Sequence, residues 1–269
     1  MITPIIERSS VASVPLEPGA DLRGANLSGR RIEFVSLRGA QLDGANLDGA
    51  RLQFVDLTGA SLMNASMRRT ELWSVQARSA SFAGVRADES HWHFVDLSRT
   101  DFSAARVGEA LLRSCSMRRA TFASADLSDA ALAQCDCRDA DFTDANLAGV
   151  DTLGSIFSGA KLESAIGWTI AREAVVEVLR RELDNDPARA RLFGAIAINR
   201  DWCWDEWAVM AEHDPAGLTV VTGILAKYPA SGCLEALNAA IAKAKDAVSS
   251  SAGQDPRAGL AAGDQRHRQ

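Results

Sequence analysis

The sequence predicts a mainly β solenoid of about seven four-sided coils, followed by a small all-α domain. Two observations carry this prediction. A five-residue apolar repetition runs without interruption from position 22 to position 162, and after Ala165 it gives way to the spacing of amphipathic helices. The chain has 269 residues, 47% of them hydrophobic, so it can bury a large core. Only 6% are aromatic, so aromatic packing cannot dominate that core.

The repetition places a large apolar residue at 25 of 29 successive fifth positions, beginning with Leu22 and Leu27. The positions two residues earlier are small in 28 of 29 cases, with Arg30 as the exception. A period of five fits neither the 3.6 residues of a helix nor the 2 of a strand. It indicates a chain that turns a corner every five residues, with one large and one small side chain inward per side. Outward residues of similar type recur every 20 residues, which indicates four sides of five residues per coil.

Four of the large positions carry a smaller or polar residue instead: Ala77, Ala87, Cys137 and Thr152. Trp92 is oversized, and this one side chain can fill the space that the two alanines leave in neighbouring coils. Thr152, followed by an apolar residue, suggests a local slip of register near the end of the solenoid.

Segments such as DLRGA, NLDGA and DLTGA resemble the A(D/N)LXX motif of the pentapeptide repeat family, and the resemblance covers residues 20–165. It implies a right-handed quadrilateral β-helix. It also implies a possible function, because members of the quinolone-resistance type are thought to imitate duplex DNA and to bind DNA gyrase or topoisomerase IV.

The ends of the solenoid need caps, since an exposed coil is an open sheet edge. Residues 1–19 are predicted to form an extended N-terminal cap, residues 166–248 a helical domain and residues 249–269 a disordered tail. An apolar stripe from Ile170 to Leu183 predicts the first helix. Further helices are expected, with Asp201, Asp214 and Ser231 as N-caps, at 187–200, 202–212, 215–227 and 232–247.

Two groups of aromatic residues are candidate interaction sites. Phe34, Phe54 and Phe94 point outward on one face, where a stripe of rings is costly to expose. They contact a partner, or the N-terminal segment covers them. In the helical domain, Trp202, Trp204 and Trp207 are expected to anchor a core or an interface.

Acidic residues gather in the last coils, with Asp136, Asp139, Asp141 and Asp144 as the candidates for mimicry of DNA phosphates. Mimicry needs a dense negative stripe, since duplex DNA carries one charge per about 1.7 Å. The seven aspartates of these coils, which also include Asp126, Asp129 and Asp151, spread over all four sides, and the net charge of the chain is only −6. The first hypothesis is therefore a non-enzymatic interaction or scaffold protein, and the alternative is a DNA mimic that binds DNA gyrase or topoisomerase IV. A homodimer is possible.

Catalysis is a remote alternative. Cys203 and His213 could pair as nucleophile and base, but ten residues on one helix separate them by about 15 Å. No phosphate-binding glycine loop, metal-ligand spacing or cofactor motif occurs, so neither cofactor nor metal is expected. The acidic balance argues against direct nucleic-acid binding. No apolar run is long enough for a membrane span, and five cysteines favour a reduced, cytoplasmic protein.

Overall fold

The computed structural model describes residues 15–169, 171–182, 204–205 and 215–252, with the backbone alone at 172, 182 and 247–252. The first of these segments forms a parallel β-solenoid. Four ladders of parallel bridges run along it, each joining residues that are 20 apart, and they start at Asp21, Asn26, Arg31 and Ser36. We name the corresponding sides face 1 to face 4 in this order. The predicted four-sided solenoid is thereby confirmed.

Face 3 carries the regular strands, which form one parallel sheet in chain order. They are β1 (Arg31–Glu33), β2 (Arg51–Gln53), β3 (Glu71–Trp73), β4 (His91–His93), β5 (Leu111–Arg113) and β6 (Ala131–Ala133). The sheet contains five turns of the solenoid, and isolated bridges extend the stack from Asp21 to Ile166. At 20 residues per coil this is about seven coils.

Each corner contains a residue with positive φ, at the second position after the large apolar residue. On face 1, for example, the N–H of Ala25 donates to the carbonyl of Leu22 (3.0 Å) across Gly24, whose φ is 64°. This is the geometry of a type II turn, which glycine adopts without strain. Asp139 and Asp144 take the same left-handed conformation (φ 57° and 58°), so these two candidate residues are corner residues.

The Asp or Asn before the large apolar residue has a structural task. Its side-chain oxygen accepts the backbone N–H two residues further on, as between Asp96 and Ser98 (2.9 Å) or Asp101 and Ser103 (2.8 Å). Such a bond holds the chain at the start of the turn. The fold therefore explains why the A(D/N)LXX motif has Asp or Asn before the large apolar residue.

The interior consists of the predicted ladder of large side chains, and four of them are stacked phenylalanines. Phe82, Phe102, Phe122 and Phe142 are fully buried, with successive ring centroids 4.8, 5.0 and 5.0 Å apart. The spacing of about 4.8 Å between strands sets this distance. The ladder thus carries ring stacking along the axis of the solenoid.

Trp92 is fully buried between Leu72 and Leu112 in the register of the sheet. Its ring lies 5.6 Å from Phe82, and its indole N–H donates to the hydroxyl of Ser90 (2.6 Å). Ala77 and Ala87 are also fully buried, as the space-filling interpretation requires.

The register slip suggested near Thr152 is wrong. Asp151 still pairs with Ala131, and Ile156 with Asp136, each at an offset of 20 residues. The Thr152 side chain points inward, where its hydroxyl donates to Oε2 of Glu173 (2.5 Å). A polar residue is tolerated in the ladder because a carboxylate of the following helix meets it.

Among the described residues that follow, three helices have defined bounds: α1 (Arg172–Glu182), α2 (Pro215–Leu225) and α3 (Cys233–Ala252), with a 3-10 helix at Pro229–Ser231. Residues 204–205 are helical as well. The predicted helix 187–200 lies outside the described residues, as does most of 202–212. Helix α2 ends two residues before the predicted 227. Helix α3 starts one residue later than predicted and continues four residues into the predicted disordered tail, because extending an existing helix costs little even through serines. Ser231 accepts the N–H of Cys233 (3.1 Å), as expected of a capping residue.

At the other end, the coil pattern already holds for residues just before the predicted boundary at 20. Ala20 closes a turn on Glu17 (3.1 Å), and Gly19 donates to the carbonyl of Arg38 (2.8 Å). Residues 1–14 of the predicted cap lie outside the described residues.

Helix α1 closes the C-terminal end of the solenoid with side chains that replace a further coil. Inside the stack, the N–H of a corner residue donates to the carbonyl 19 residues later, as from Gly24 to Asp43 (2.9 Å). At the last coil, the N–H of Gly154 donates instead to the carboxylate of Glu173 (3.1 Å). The N–H of Gly159 donates to the carboxylate of Glu177 (3.0 Å).

The same helix also satisfies a carbonyl of that edge. Within the coils, a corner carbonyl accepts the N–H 21 residues later, and the guanidinium of Arg181 takes this place at the carbonyl of Ala160. Glu177 is buried and also accepts bonds from Arg180 (2.7 Å) and Arg181 (2.9 Å). Three side chains of one helix thereby cover an edge that would otherwise be open to pairing.

Candidate interaction surface

An exposed cluster of aromatic residues lies on face 3, and it includes four of the eight large hydrophobic side chains that are exposed among the described residues. We call it the aromatic surface, and it consists of Phe34, Phe54, Trp73, His93 and Phe94. The exposed fractions are 45% for Phe34, 49% for Phe54, 44% for Trp73 and 53% for Phe94. The rings are therefore about half accessible, and they occupy four successive coils, a length of roughly 14 Å at the spacing of a β-sheet.

The rings contact one another in two groups. Phe34 and Phe54 are stacked, with centroids 5.0 Å apart and planes at 10°. Trp73 contacts His93 (5.2 Å) and meets Phe94 edge-on at 5.4 Å. Such contacts fix the orientation of each ring, so the aromatic surface is already organised before anything binds to it.

The backbone under this surface is strained. Phe34, Phe54 and Phe94 have φ values of 55°, 53° and 57°. A non-glycine residue in the left-handed region costs roughly 1 kcal/mol or more. Of the 29 corners from Gly24 to Ser164, glycine takes ten and other residues take 19. Three of the exposed rings therefore lie on left-handed backbone, a conformation that they share with other non-glycine corner residues, and their distinguishing feature is their exposure.

Trp73 was not predicted from the sequence, because the phenylalanines occupy the corner positions and Ser74 takes that position in the coil of Trp73. Trp73 occupies the neighbouring outward position of the same coil and reaches Phe94 of the next coil. Aligning the outward position of each strand (Glu33, Gln53, Trp73, His93) would have revealed it.

His93 contributes an uncharged ring. Its burial lowers its pKa below the ordinary value, and the neighbouring charges of His91 and Arg113 lower it further. With an unperturbed pKa near 6.5, the imidazole is therefore neutral at pH 7. The charged groups lie at the rim, where Arg51 pairs with Glu71 (3.1 Å).

The four acidic candidates divide between two faces. Asp136 and Asp139 lie on face 4 among arginines, and Asp136 accepts a bond from Arg138 at 2.5 Å. This bond lowers the pKa of Asp136 despite its partial burial. Arg119 lies 3.5 Å from Asp139. These two carboxylates are therefore largely compensated by neighbouring positive charge.

Asp141 and Asp144 lie on face 1. Asp141 accepts the N–H of Thr143 (3.0 Å) and the ammonium of Lys161 (3.0 Å). Burial raises its pKa, but the bonds from Thr143 and Lys161 outweigh this effect and the pKa is lowered. The described structure therefore gives Asp136 and Asp141 roles in turns, and the four aspartates do not form one continuous stripe.

Of the three tryptophans expected in the helical region, only Trp204 lies within the described residues. It is half-buried against the hydrophobic core, and its indole N–H donates to the carbonyl of Thr169 (3.2 Å). Trp202, Trp207, Cys203 and His213 lie outside the described residues. Cys233 is buried in the same region, and burial raises its pKa to about 12.

Among the residues that the structure describes, no group of three or more His, Cys, Asp or Glu side chains is placed to hold a metal ion. No described helix combines the length and apolarity that crossing a bilayer requires.

Comparison with known proteins places the solenoid. The family model for pentapeptide repeats matches eight copies, over residues 31–69, 45–84, 96–134 and 135–166. No curated protein matches the chain. Among solved structures, a form of QnrB1, a plasmid-mediated fluoroquinolone resistance protein, is 25% identical and aligns over 52% of this chain and 76% of its own, with a TM-score of 0.33.

Two further structures come from photosynthetic organisms. HetL, a pentapeptide repeat protein involved in heterocyst differentiation regulation from the cyanobacterium Nostoc sp. strain PCC 7120, is 26% identical over 56% of this chain and 84% of its own (TM-score 0.27). A pentapeptide repeat protein from the thylakoid lumen of Arabidopsis thaliana is 20% identical over 40% and 69% (TM-score 0.21). Over residues 31–166, the chain described here belongs to the pentapeptide repeat family.

Proposed function

We propose that this protein is a non-enzymatic interaction scaffold that binds a protein partner through the aromatic surface of face 3. The observation that supports the proposal is the exposure of four large rings that are fixed by mutual contacts, three of them on left-handed backbone. Exposed aromatic clusters are typical of the anchors that dominate the binding energy of protein interfaces. The partner we expect offers an apolar patch about 14 Å long, which is the length of a helix of about nine residues.

The partner can be identified by comparing matched variants of the full-length chain as bait. Replacing Trp73 and Phe54 by serine should abolish capture of the partner. Met63, which is 43% exposed on face 1, provides the control, and Met63→Ser should leave capture unchanged. If the double variant retains its partner, the aromatic surface is not the binding site.

The other occupant left open by the sequence is the N-terminal segment, residues 1–14. A chain that starts at Pro15 separates the two possibilities. Unchanged capture by this shortened chain supports an external partner on a free surface. Markedly stronger capture would instead indicate that the segment competes for the rings.

The alternative function, mimicry of DNA at a type II topoisomerase, has less support from the charge distribution. Face 4 is basic on balance, with four outward aspartates and six outward arginines, namely Arg38, Arg78, Arg99, Arg118, Arg119 and Arg138. A surface that imitates duplex DNA has to be negative along its length. A gyrase supercoiling assay with added protein decides the matter, since inhibition at micromolar protein would favour mimicry and no effect would exclude it.

A further inference from the structure

Face 4 contains a cleft whose lining is strongly basic. Its volume is about 390 Å³, and the lining residues are Arg78, Ser98, Arg99, Ser116, Arg118 and Arg119. Four guanidinium groups and two hydroxyls therefore converge on one cleft, and no carboxylate lines it.

The solenoid register places these groups in a regular array. Arg78, Ser98 and Arg118 follow one another in one outward column of three successive coils, about 4.8 Å apart along the axis. Arg99 and Arg119 occupy the adjacent corner column. The hydroxyl of Ser98 hydrogen-bonds to that of Ser116 (2.8 Å), which positions both at the floor of the cleft. Ser98 is thus the small residue that leaves room between two arginines.

The positive charge of this array is only partly compensated. Asp96 lies beside the cleft, where its Oδ1 accepts the N–H of Ser98 (2.9 Å), and Asp136 and Asp139 make longer contacts with the arginines. The guanidinium of Arg118 is 3.9 Å from Asp136 and that of Arg119 is 3.5 Å from Asp139, both longer than a good hydrogen bond. Asp136 is already engaged by Arg138. Arg78 and Arg99 form no ion pair with any residue that the structure describes, whereas Arg38 on the same face pairs with Asp56 at 3.4 Å.

We propose that this cleft binds a phosphate group. Guanidinium forks match the oxygens of a phosphate in geometry and charge. Of the two hydroxyls at the floor, which are bonded to each other, one keeps its proton available to donate a further bond. Like charges on neighbouring strands repel, so an anion among Arg99 and Arg119 also relieves an unfavourable interaction. The volume exceeds that of a single phosphate ion, so the cleft accommodates a polyphosphate or a phosphate ester carried by a larger molecule. Both sources share the chemistry that the side chains recognise.

Isothermal titration of the full-length protein at fixed ionic strength tests this site, with inorganic tripolyphosphate and O-phosphoserine as separate probes. Arg78→Gln and Arg99→Gln should each weaken binding about tenfold, the effect of losing one charge-assisted hydrogen bond. Ser98→Ala should weaken it by a smaller factor. The matched control is Arg86→Gln, because Arg86 is an exposed arginine on face 2 without an ion pair among the described residues.

Binding of tripolyphosphate alone identifies a free polyanion as the ligand class, and binding of phosphoserine identifies a carried ester. The proposal is overturned if neither probe binds at millimolar concentration. It is equally overturned if Arg86→Gln weakens binding as much as Arg78→Gln, since the effect would then be one of overall charge. All four replaced side chains are exposed or half-buried, and thermal unfolding verifies that the variants remain folded.

Discussion

The indole N–H of Trp92 has to find an acceptor inside the solenoid, because the ring is fully buried. Ser90 provides it, and its own hydroxyl donates to the carbonyl of Ala87 (2.6 Å). One small polar residue at a corner thus satisfies both a carbonyl and an oversized neighbour. A buried donor without an acceptor is costly, and the pair therefore acts as a unit.

We expect Ser90→Ala to lower the free energy of unfolding by about 1–3 kcal/mol, the cost of leaving a buried polar group unsatisfied. Thr70→Val is the matched control. Thr70 occupies the equivalent corner one coil earlier and bonds the carbonyl of Met67 (2.8 Å), but no indole depends on it. Urea unfolding measures both. Equal losses in the two variants would show that the indole bond contributes nothing.

At the scale of the structural element, the stacked phenylalanines and helix α1 stabilise different parts of the solenoid. The stack fills the middle coils, whereas α1 covers the last one. Each can be tested with a variant of its own.

Phe122→Ala should destabilise the protein by about 3–5 kcal/mol, because it opens a cavity and interrupts the stack between Phe102 and Phe142. Phe54→Ala removes the same atoms from an exposed ring, and we expect a change below about 1 kcal/mol. Thermal or urea unfolding of the two variants checks the contrast. A small loss for Phe122→Ala would mean that neighbouring coils collapse into the space.

The cap formed by Glu177 should make stability depend on pH. Burial raises the pKa of this carboxyl, but the bonds from Arg180, the N–H of Gly159 and Arg181 outweigh burial, so its pKa in the folded protein is lowered. The stabilisation is then fully present above the pKa of the unfolded chain, near 4.3, and is lost as the pH falls through the folded pKa.

Glu177→Gln should therefore cost about 2 kcal/mol at pH 7 and progressively less as the pH falls below about 4. Glu163→Gln, an exposed carboxyl of the last coil, is the control and should show neither effect. Chemical unfolding at a series of pH values supplies the measurement. A difference between Glu177→Gln and the wild type that does not change with pH would contradict the assignment of this role to the carboxylate charge.

At the scale of the whole molecule, the solenoid presents faces of different character around one continuous core. Face 3 is aromatic, face 4 is basic on balance, and α1 seals one end. Removal of α1 should therefore expose the edge of the last coil. A chain that ends after Ile166 exposes the N–H groups of Gly154 and Gly159 and the carbonyl of Ala160.

Such a truncated chain should self-associate, because an open edge of paired backbone groups is a template for another strand. Light scattering coupled to size exclusion would show a mass that rises with concentration, compared with the full-length protein. A truncated chain with the same oligomeric state and melting temperature as the full-length protein would mean that the cap is dispensable.

The sequence was sufficient to predict the solenoid, because burial at every fifth position leaves a periodic record in Leu22, Leu27 and their successors. It was insufficient where the outcome depends on which side chain meets the end of the stack. The roles of Glu173, Glu177 and Arg181 follow from the docking of α1, and a helical pattern does not encode that docking. Likewise, the cleft at Ser98 is lined by arginines of different coils, such as Arg99 and Arg119, and stacking of the coils is what brings these side chains together.

The absence of any insertion between Asp21 and Ile166 has a consequence for how this molecule tolerates changes in length. Excising 20 residues would remove one complete coil and leave every face in its original orientation. Excising five would rotate every downstream residue by a quarter turn about the axis of the solenoid, so that the C-terminal helices would lie against a different face. The length of such a protein can therefore vary only in multiples of 20 residues, that is, by whole coils, if its two ends are to keep their relative orientation.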